Sequence, residues 1–217
     1  MDFEKARRIM VDSQVRVNDV TEPAIVAAFL YTPRENFVPK AMQEIAYSEH
    51  EMELSESRAM WTPRDLGKIL KNLNIKRSDT ALVIGAGAGY SSALISKLGE
   101  AVIALEDADE NVDRLTERFA ATTLDNAVAV KGDLAAGMPS QGPFDVILIN
   151  GMVETVPQAW LDQLSEGGRL GVVVRQTSKL GTARIYTRAG ETVSSRDAFE
   201  CCPPVLPGFE KETSFVF

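Results

Sequence analysis

The spacing of apolar residues predicts helices in the first third of the chain. Residues 3–10 place apolar side chains on one helical face, and the apolar run at residues 24–31 follows a sequence typical of a helix start. A further helix is predicted over residues 63–73, because Thr62 suits the N-cap and Pro63 suits the first helical position.

Beyond about residue 76, short apolar runs alternate with helical stretches, which is typical of βαβ units on a parallel sheet. The predicted strands are residues 80–84, 101–105, 127–130, 145–149 and 169–175, and the predicted helices are residues 90–98, 109–122 and 157–164. Two later strands, residues 183–187 and 193–199, flank a turn signal and predict an antiparallel hairpin. The expected fold class is therefore α/β: a Rossmann-like, doubly wound, mostly parallel seven-stranded sheet with a C-terminal antiparallel hairpin and an N-terminal helical segment.

Composition narrows the function classes. The chain has 217 residues, 45% of them hydrophobic, which is enough to bury a core. Its net charge of −8 argues against a nucleic acid as the main partner. The apolar run at residues 24–31 falls far short of the roughly 20 residues that a membrane-spanning helix needs. Because the first residues are acidic rather than signal-like, we expect a cytoplasmic protein without a membrane partner.

Cysteine and histidine usage gives no support for a metal site. Cys201 and Cys202 are adjacent, which is poor geometry for a structural disulfide, so we expect reduced thiols. His50 is the only histidine, which excludes a site with several histidine ligands. No metal is predicted.

The most informative segment is a glycine-rich turn between a predicted strand and a predicted helix. Gly85, Gly87 and Gly89 would let the backbone approach a bound cofactor closely. The dinucleotide fingerprint would require glycine at position 90, where this chain has Tyr90, so a nicotinamide or flavin cofactor fits imperfectly. Glu106 closes the next strand, where a carboxylate can accept hydrogen bonds from ribose hydroxyls.

A second acid follows the third predicted strand. Asp133 would lie beside the same crevice, where its carboxylate could accept a hydrogen bond from the exocyclic amine of an adenine. An acidic crevice suits the sulfonium cation of S-adenosylmethionine better than it suits a pyrophosphate. This favours a methyl donor over NAD.

With these motifs the sequence resembles the protein-L-isoaspartate O-methyltransferase family, within the seven-stranded class of S-adenosylmethionine-dependent methyltransferases. The resemblance runs from about residue 6 to residue 174. Outside the sheet it rests on MVDSQVR at residues 10–16, VTEP at 20–23, PRENFVP at 33–39 and AY at 46–47. Within the sheet it rests on GAGAGY at residues 85–90, Glu106, GD at 132–133, FDVI at 144–147 and LSEGGRL at 164–170.

The resemblance implies methyl transfer from S-adenosyl-L-methionine to the α-carboxylate of L-isoaspartyl residues in damaged proteins, with a protein or peptide as acceptor. It implies one methyltransferase domain over residues 1–217, in which residues 1–76 form an N-terminal helical substrate or cap segment and residues 77–217 form the cofactor-binding sheet and C-terminal strands. The cofactor-binding residues that it implies are Gly85, Ala86, Gly87, Gly89, Glu106, Asp107, Asp133, Leu134 and Asn150.

The acceptor loop departs from the family pattern. The family's Thr-Ile-Ser-Gln-Pro motif falls on residues 59–63, where Trp61 stands in place of the serine. The acceptor-loop candidates are therefore Arg58, Trp61 and Thr62, although Thr62 is best explained as a helix cap. Three hypotheses remain: an isoaspartyl methyltransferase, a methyltransferase with another acceptor, or a non-catalytic module that binds S-adenosylmethionine and presents an exposed Trp61 region to a partner.

Overall fold

The computed structural model describes residues 1–55, 58–177 and 180–210. Its helices are α1 Phe3–Met10, α2 Pro23–Leu30, α3 Pro63–Leu73, α4 Tyr90–Leu98, α5 Asp109–Ala121 and α6 Gln158–Asp162. Its strands are β1 Met52–Ser55, β2 Arg58–Met60, β3 Thr80–Ile84, β4 Ala101–Glu106, β5 Ala127–Lys131, β6 Phe144–Val153, β7 Leu164–Arg175, β8 Gly181–Ala189 and β9 Thr192–Cys201. Short π-helical and 3-10 turns connect the elements of the N-terminal segment.

A seven-stranded sheet with the order β5-β4-β3-β6-β7-β8-β9 organises the protein. The strands from β5 to β7 run parallel to one another, whereas β8 and β9 add antiparallel at one edge. The chain moves outward from β3 to β5 and then returns to place β6 on the other side of β3. Such a reversal of strand order opens a crevice at the carboxyl ends of the strands. The predicted fold class is confirmed.

Most predicted elements match the observed ones to within two residues at each end, and the differences include β7, which begins at residue 164 and not at 169. β6 continues to Val153 because it pairs with β7 up to that residue, and the C-terminal segment pairs on its other side: the Met152 N–H donates to the Pro204 carbonyl at 2.9 Å, and the Leu206 N–H donates to the Met152 carbonyl at 2.8 Å. The helix predicted over residues 157–164 is shorter, because residue 164 already begins β7. The hairpin of β1 and β2 was not predicted at all.

The acceptor-loop candidates Arg58, Trp61 and Thr62 lie in β2 and in the two residues that connect it to α3. All three residues of β2 are buried, and α3 begins directly after it. As predicted, Thr62 is the N-cap of α3: its Oγ1 accepts a hydrogen bond from the Asp65 N–H at 3.1 Å. α3 packs its apolar face, including Leu66 and Ile69, into the core, which fixes the hairpin against the sheet edge that carries the glycine-rich turn.

The remaining composition-based expectations concern cysteines and membranes. Cys201 is buried at the end of β9, Cys202 is exposed, and both are free thiols. Within the described ranges, no helix combines the length and the apolar character needed to cross a membrane.

Candidate functional site

The glycine-rich turn has the backbone conformation that its sequence predicts. Gly85, Gly87 and Gly89 have φ angles of 67°, 59° and 84°, in the left-handed region that favours glycine. Gly89 is the N-cap of α4. The turn therefore presents backbone rather than side chains to the crevice.

Hydrogen bonds fix this turn to both neighbouring strands. The N–H groups of Gly85 and Ala86 donate to the Leu105 carbonyl at 3.1 and 3.3 Å. From β6, the Asn150 Nδ2 donates to the Gly85 carbonyl at 3.0 Å, and Asn150 Oδ1 accepts from Ser91 Oγ at 2.7 Å. Asn150, an expected cofactor ligand, thus braces the turn with both ends of its amide.

The Leu206 side chain covers the first glycine of the turn, a contact that the sequence did not predict. A Cβ built on Gly85 would lie 2.8 Å from Leu206 Cδ1. Leu206 itself is buried. The C-terminal segment therefore packs against the start of the turn, and its last residues, including the sequence Ser-Phe-Val-Phe at 214–217, lie outside the described residues.

Replacing Gly85 with alanine is expected to lower the free energy of unfolding by about 2 kcal/mol, since the new Cβ would combine left-handed strain with the Leu206 contact. Gly190→Ala is the matched control, because Gly190 has a φ of 58° and nothing within 4 Å of its Cβ position, so only about 1 kcal/mol of strain is expected. Urea unfolding measures both variants. Equal losses in the two variants would show that Leu206 does not press on Gly85.

At the end of β4, Glu106 is fully buried in a tight ion pair. The Gly87 N–H donates to its Oε1 at 2.6 Å. From β2, Arg58 Nε lies 3.0 Å from Oε1 and Arg58 Nη2 lies 2.7 Å from Oε2. The same Nη2 donates to Asp107 Oδ1 at 3.0 Å. The carboxylate that sequence analysis expects to face a ribose is thus held bidentately by an arginine.

Arg58 is charged in this position. Burial alone would lower the pKa of its guanidinium, but the bonds and charges of Glu106 and Asp107 raise the pKa above its ordinary value. Arg58 was predicted as an acceptor-loop candidate; the structure places its guanidinium on the acid expected to bind the cofactor.

A cleft of about 250 Å³ lies above the turn, and its walls carry more positive than negative side chains. Its lining residues are Phe37, Pro39, Leu54, Arg58, Gly87, Ala88, Asn111, Arg114 and Arg118. Arg118 donates to the Ala88 carbonyl at 3.0 Å, and burial together with the nearby Arg114 lowers its pKa. The expectation of an acidic crevice is therefore wrong, because arginines from β2 and α5 line it and one of them neutralises Glu106.

The loop after β5 reaches the same edge of the sheet. The Gly132 N–H donates to the Glu106 carbonyl at 2.9 Å, which holds the start of this loop beside the end of β4. Asp133 is exposed and its Oδ1 accepts from the Ala135 N–H at 2.8 Å. Leu134 is buried, and its carbonyl accepts from Trp160 Nε1 at 2.7 Å. The structure thus brings the glycine-rich turn, the end of β4 and the loop after β5 to the same edge of the sheet. Asp133, on the last of these, faces solvent.

Trp61 lies in the core. Its side chain is 1% exposed, and its carbonyl accepts a hydrogen bond from Arg34 Nη2 at 2.6 Å. Arg34 is itself fully buried, with its guanidinium 4.8 Å from the centre of the Tyr90 ring. The expectation of an exposed Trp61 contact surface is therefore wrong, because the indole belongs to the hydrophobic core.

One carboxyl group near the start of α3 has a strongly shifted pKa. Burial, with a contribution from the charge of Asp65, raises the pKa of Glu51 to about 7, and Arg64 offsets part of this shift. Because the folded protein holds this proton more tightly than the unfolded chain, the associated stability is fully present below the unfolded pKa and is lost as pH rises through about 7.

Glu51→Gln is expected to remove that loss. Relative to the wild-type chain, the variant should gain about 1 kcal/mol in free energy of unfolding between pH 5 and pH 8, after allowance for the solvent contact of Glu51. Urea unfolding at both pH values measures it. Glu53→Gln, at an exposed position on β1, is the control and should show no such gain. If the difference in free energy of unfolding between Glu51→Gln and the wild-type chain is the same at pH 5 and at pH 8, the raised pKa of Glu51 is contradicted.

The structure also locates the single histidine and the side chains that could bind a metal ion. His50 is exposed. In the parts of the chain that the structure describes, no group of three or more His, Cys, Asp or Glu side chains could hold a metal ion.

Comparison with known proteins gives consistent similarities. The family profile described as protein-L-isoaspartate(D-aspartate) O-methyltransferase matches residues 6–202. A protein-L-isoaspartate O-methyltransferase of Methanoculleus marisnigri is 28% identical over 94% of this chain and 93% of its own length. A protein-L-isoaspartate O-methyltransferase 2 of Pelobacter propionicus is 31% identical over 87% of this chain and 84% of its own length.

Solved structures share the fold. A protein-L-isoaspartate O-methyltransferase superposes with a TM-score of 0.79 and 23% identity, covering 94% of this chain and 66% of that chain. A Plasmodium falciparum protein solved in complex with S-adenosyl-L-homocysteine superposes with a TM-score of 0.80 and 19% identity, covering 92% of this chain and 97% of that chain.

Proposed function

The chain belongs to the protein-L-isoaspartate O-methyltransferase family, and we propose that it transfers the methyl group of S-adenosyl-L-methionine to the α-carboxylate of L-isoaspartyl residues in damaged proteins. The observation that carries the proposal is the family match over residues 6–202, which includes the N-terminal segment as well as the sheet. Enzymes of this family use S-adenosylmethionine and act on protein substrates. The cytoplasmic location and the absence of a nucleic-acid partner stay predictions.

The residues at the carboxyl edge of the sheet fit this cofactor. A Cβ on Gly87 would meet only ordinary contacts, the nearest being Asn150 Nδ2 at 3.6 Å and Arg58 Cβ at 3.7 Å, so this glycine borders the cleft. Glu106 is the group that would accept hydrogen bonds from both ribose hydroxyls. Asp133, exposed on the neighbouring loop, is available to an adenine amine.

The reaction makes modest demands on the side chains. The bound cofactor supplies a methyl group on a positively charged sulfur: the S–CH₃ bond breaks, an O–CH₃ bond forms, and S-adenosylhomocysteine leaves as a neutral thioether. An acceptor carboxylate with a pKa of about 4 is already ionised at neutral pH, so no general base is needed. What the chain must supply is alignment and exclusion of water, and alignment alone can contribute roughly 7 kcal/mol.

The alternative acceptor hypothesis keeps one specific observation in its favour. Trp61 stands where the family has the serine of its acceptor motif, and the structure buries it, so the indole cannot reproduce the hydroxyl's contact with a carboxylate. A methyltransferase with a different carboxylate or hydroxyl acceptor is the second candidate function. The non-catalytic module loses its proposed contact surface, because Trp61 is not exposed.

Two measurements test the two halves of the proposal. Calorimetric titration with S-adenosylhomocysteine tests the cofactor half: saturable binding supports it, and no binding contradicts it. Labelled methyl transfer to an isoaspartyl peptide, compared with its aspartyl counterpart, tests the acceptor half. Selective labelling supports the isoaspartyl acceptor, whereas cofactor binding without labelling favours another acceptor.

A further inference from the structure

The Arg58 guanidinium binds the Glu106 carboxylate, which is the group that the proposed cofactor needs. The guanidinium comes from β2, 48 residues before Glu106 in the sequence, and its Nη2 lies 2.7 Å from Oε2 of Glu106. Both side chains are buried, at 4% exposure for Arg58 and 0% for Glu106. This is a bidentate pair screened from water, not a surface contact.

The carboxylate of Glu106 has little capacity left for another ligand. Oε1 accepts from the Gly87 N–H at 2.6 Å and from Arg58 Nε at 3.0 Å. Oε2 accepts from Arg58 Nη2 and, at 3.4 Å, from Asn111 Nδ2. A ribose held through its two hydroxyls would need one acceptor position on each oxygen. The ribose and the guanidinium therefore compete for the same carboxylate.

Asp107 gives the guanidinium a second place to bind. Its side chain is half-exposed, and its Oδ1 already accepts from Arg58 Nη2 at 3.0 Å. Arg58 can therefore release Glu106 and keep a carboxylate partner at the mouth of the cleft. This removes the large cost of leaving a buried arginine without a negative charge beside it.

We propose that Arg58 is a latch on the cofactor site, which competes with the ribose of S-adenosylmethionine for Glu106 and so sets the cofactor affinity of this chain. The proposal rests on the proposed function, because it assumes an adenosine ligand at Glu106. A ligand that binds only the open form has an apparent affinity reduced by the open fraction. If the latch is closed in about nine molecules out of ten, removing it strengthens binding about tenfold.

Arg58→Gln is the direct test, with S-adenosylhomocysteine as the probe in isothermal titration calorimetry. We expect at least about tenfold tighter binding than in the wild-type chain. Arg58→Lys keeps the charge but loses the bidentate geometry, so an intermediate gain is expected. Arg8→Gln is the control: Arg8 lies outside the cleft and pairs with the exposed Glu4, so the Kd of this variant should stay within about twofold of wild type.

A measurement on the wild-type chain keeps the test independent of how well the variants fold. The Nε–H of Arg58 can be followed by nitrogen-15 NMR, with its signal assigned by its loss in Arg58→Lys. Because Nε donates to Glu106, its signal should move as S-adenosylhomocysteine saturates the protein, while the Nε signal of Arg8, which lies outside the cleft, should not. A purely structural arginine would keep its signal in place.

The outcomes separate the latch from the proposed function. Tighter binding in Arg58→Gln, with the signal change in the wild-type chain, supports the latch. Binding that is unchanged or weaker in Arg58→Gln, or an Nε signal unmoved at saturation, overturns the latch and leaves the methyltransferase proposal intact. If the wild-type chain and both Arg58 variants all fail to bind, the proposed function fails and the latch fails with it.

Discussion

Glu106→Gln will lower the free energy of unfolding of this protein by about 2 kcal/mol. The substitution removes the charged acceptor of the Arg58 guanidinium, whose side chain is 4% exposed, and hydrogen bonds to charged groups typically contribute about 1.5–3 kcal/mol, while Asp107 stays as a second carboxylate partner. Urea unfolding without ligand measures the effect. Glu110→Gln is the control, because it breaks the exposed pair between Glu110 and Arg114 and should cost about 0.5 kcal/mol or less.

A double-mutant cycle separates the ion pair from other effects of the substitution. Arg58→Gln combined with Glu106→Gln removes both charges, so the double variant should be more stable than the sum of the two single losses predicts. Strictly additive losses would show that Arg58 and Glu106 do not interact as the structure has them. In the Arg58→Gln background, Glu106→Gln should also weaken S-adenosylhomocysteine binding by about 2 kcal/mol, because the ribose loses its charged acceptor. Unchanged affinity there would remove Glu106 from the cofactor site.

Trp61→Ala is the second substitution with a large expected effect. Trp61 is among the largest fully buried side chains, and removing such an indole leaves a cavity that typically costs about 3–5 kcal/mol. Thermal and urea unfolding measure the loss. Trp61→Phe is the conservative comparison and should cost clearly less, since Trp61 Nε1 has no hydrogen-bond partner among the described residues. A loss below about 1 kcal/mol for Trp61→Ala would contradict the burial of Trp61 in the core.

The burial of Trp61 affects any test of whether its indole blocks the methyl acceptor. Restoring the family's serine at position 61 would remove the indole from the core as well as from the acceptor loop, so any activity must be compared per folded molecule. A gain in isoaspartyl methylation under that correction would show that the indole blocks the acceptor. If isoaspartyl methylation does not increase, other parts of the acceptor loop, and not the indole, determine the acceptor.

The parallel sheet could be predicted from sequence because its signals are local. Each strand from β3 to β7 contains a short apolar run, and the helix over residues 63–73 has its cap, proline and apolar face within one segment. The glycine-rich turn could be predicted for the same reason, since the need for glycine at positive φ is a property of the turn itself.

The features that were missed depend on contacts between distant segments. The β1–β2 hairpin consists of strands of four and three residues with no clear alternation, so local pattern did not indicate it. Once it forms, it carries Arg58 onto Glu106 and Trp61 into the core, which no spacing along the chain could indicate. The extension of β6 has a similar origin, because it depends on pairing with β7 and with the C-terminal segment near Met152.

The charge of the crevice was misjudged for a related physical reason. Glu106 and Asp133 lie at or just after the ends of predicted strands, so the sequence pattern places them at the carboxyl edge of the sheet, whereas the arginines on β2 and α5 reach the cleft through tertiary packing. The electrostatic argument for a sulfonium ligand therefore loses its force. The assignment of S-adenosylmethionine rests on family membership and on the position of Glu106 beside Gly87.

The most direct test is labelled methyl transfer from S-adenosylmethionine to an isoaspartyl peptide, run beside the same peptide with a normal aspartyl residue. The wild-type chain is expected to label the isoaspartyl peptide selectively, with a base-labile methyl ester as the product. Glu106→Gln in the Arg58→Gln background is the weakened-binding control and, at a cofactor concentration below saturation, should label the isoaspartyl peptide less than Arg58→Gln alone does. Equal labelling of both peptides, or none of either by a wild-type chain saturated with the cofactor, would contradict isoaspartyl methylation by this protein.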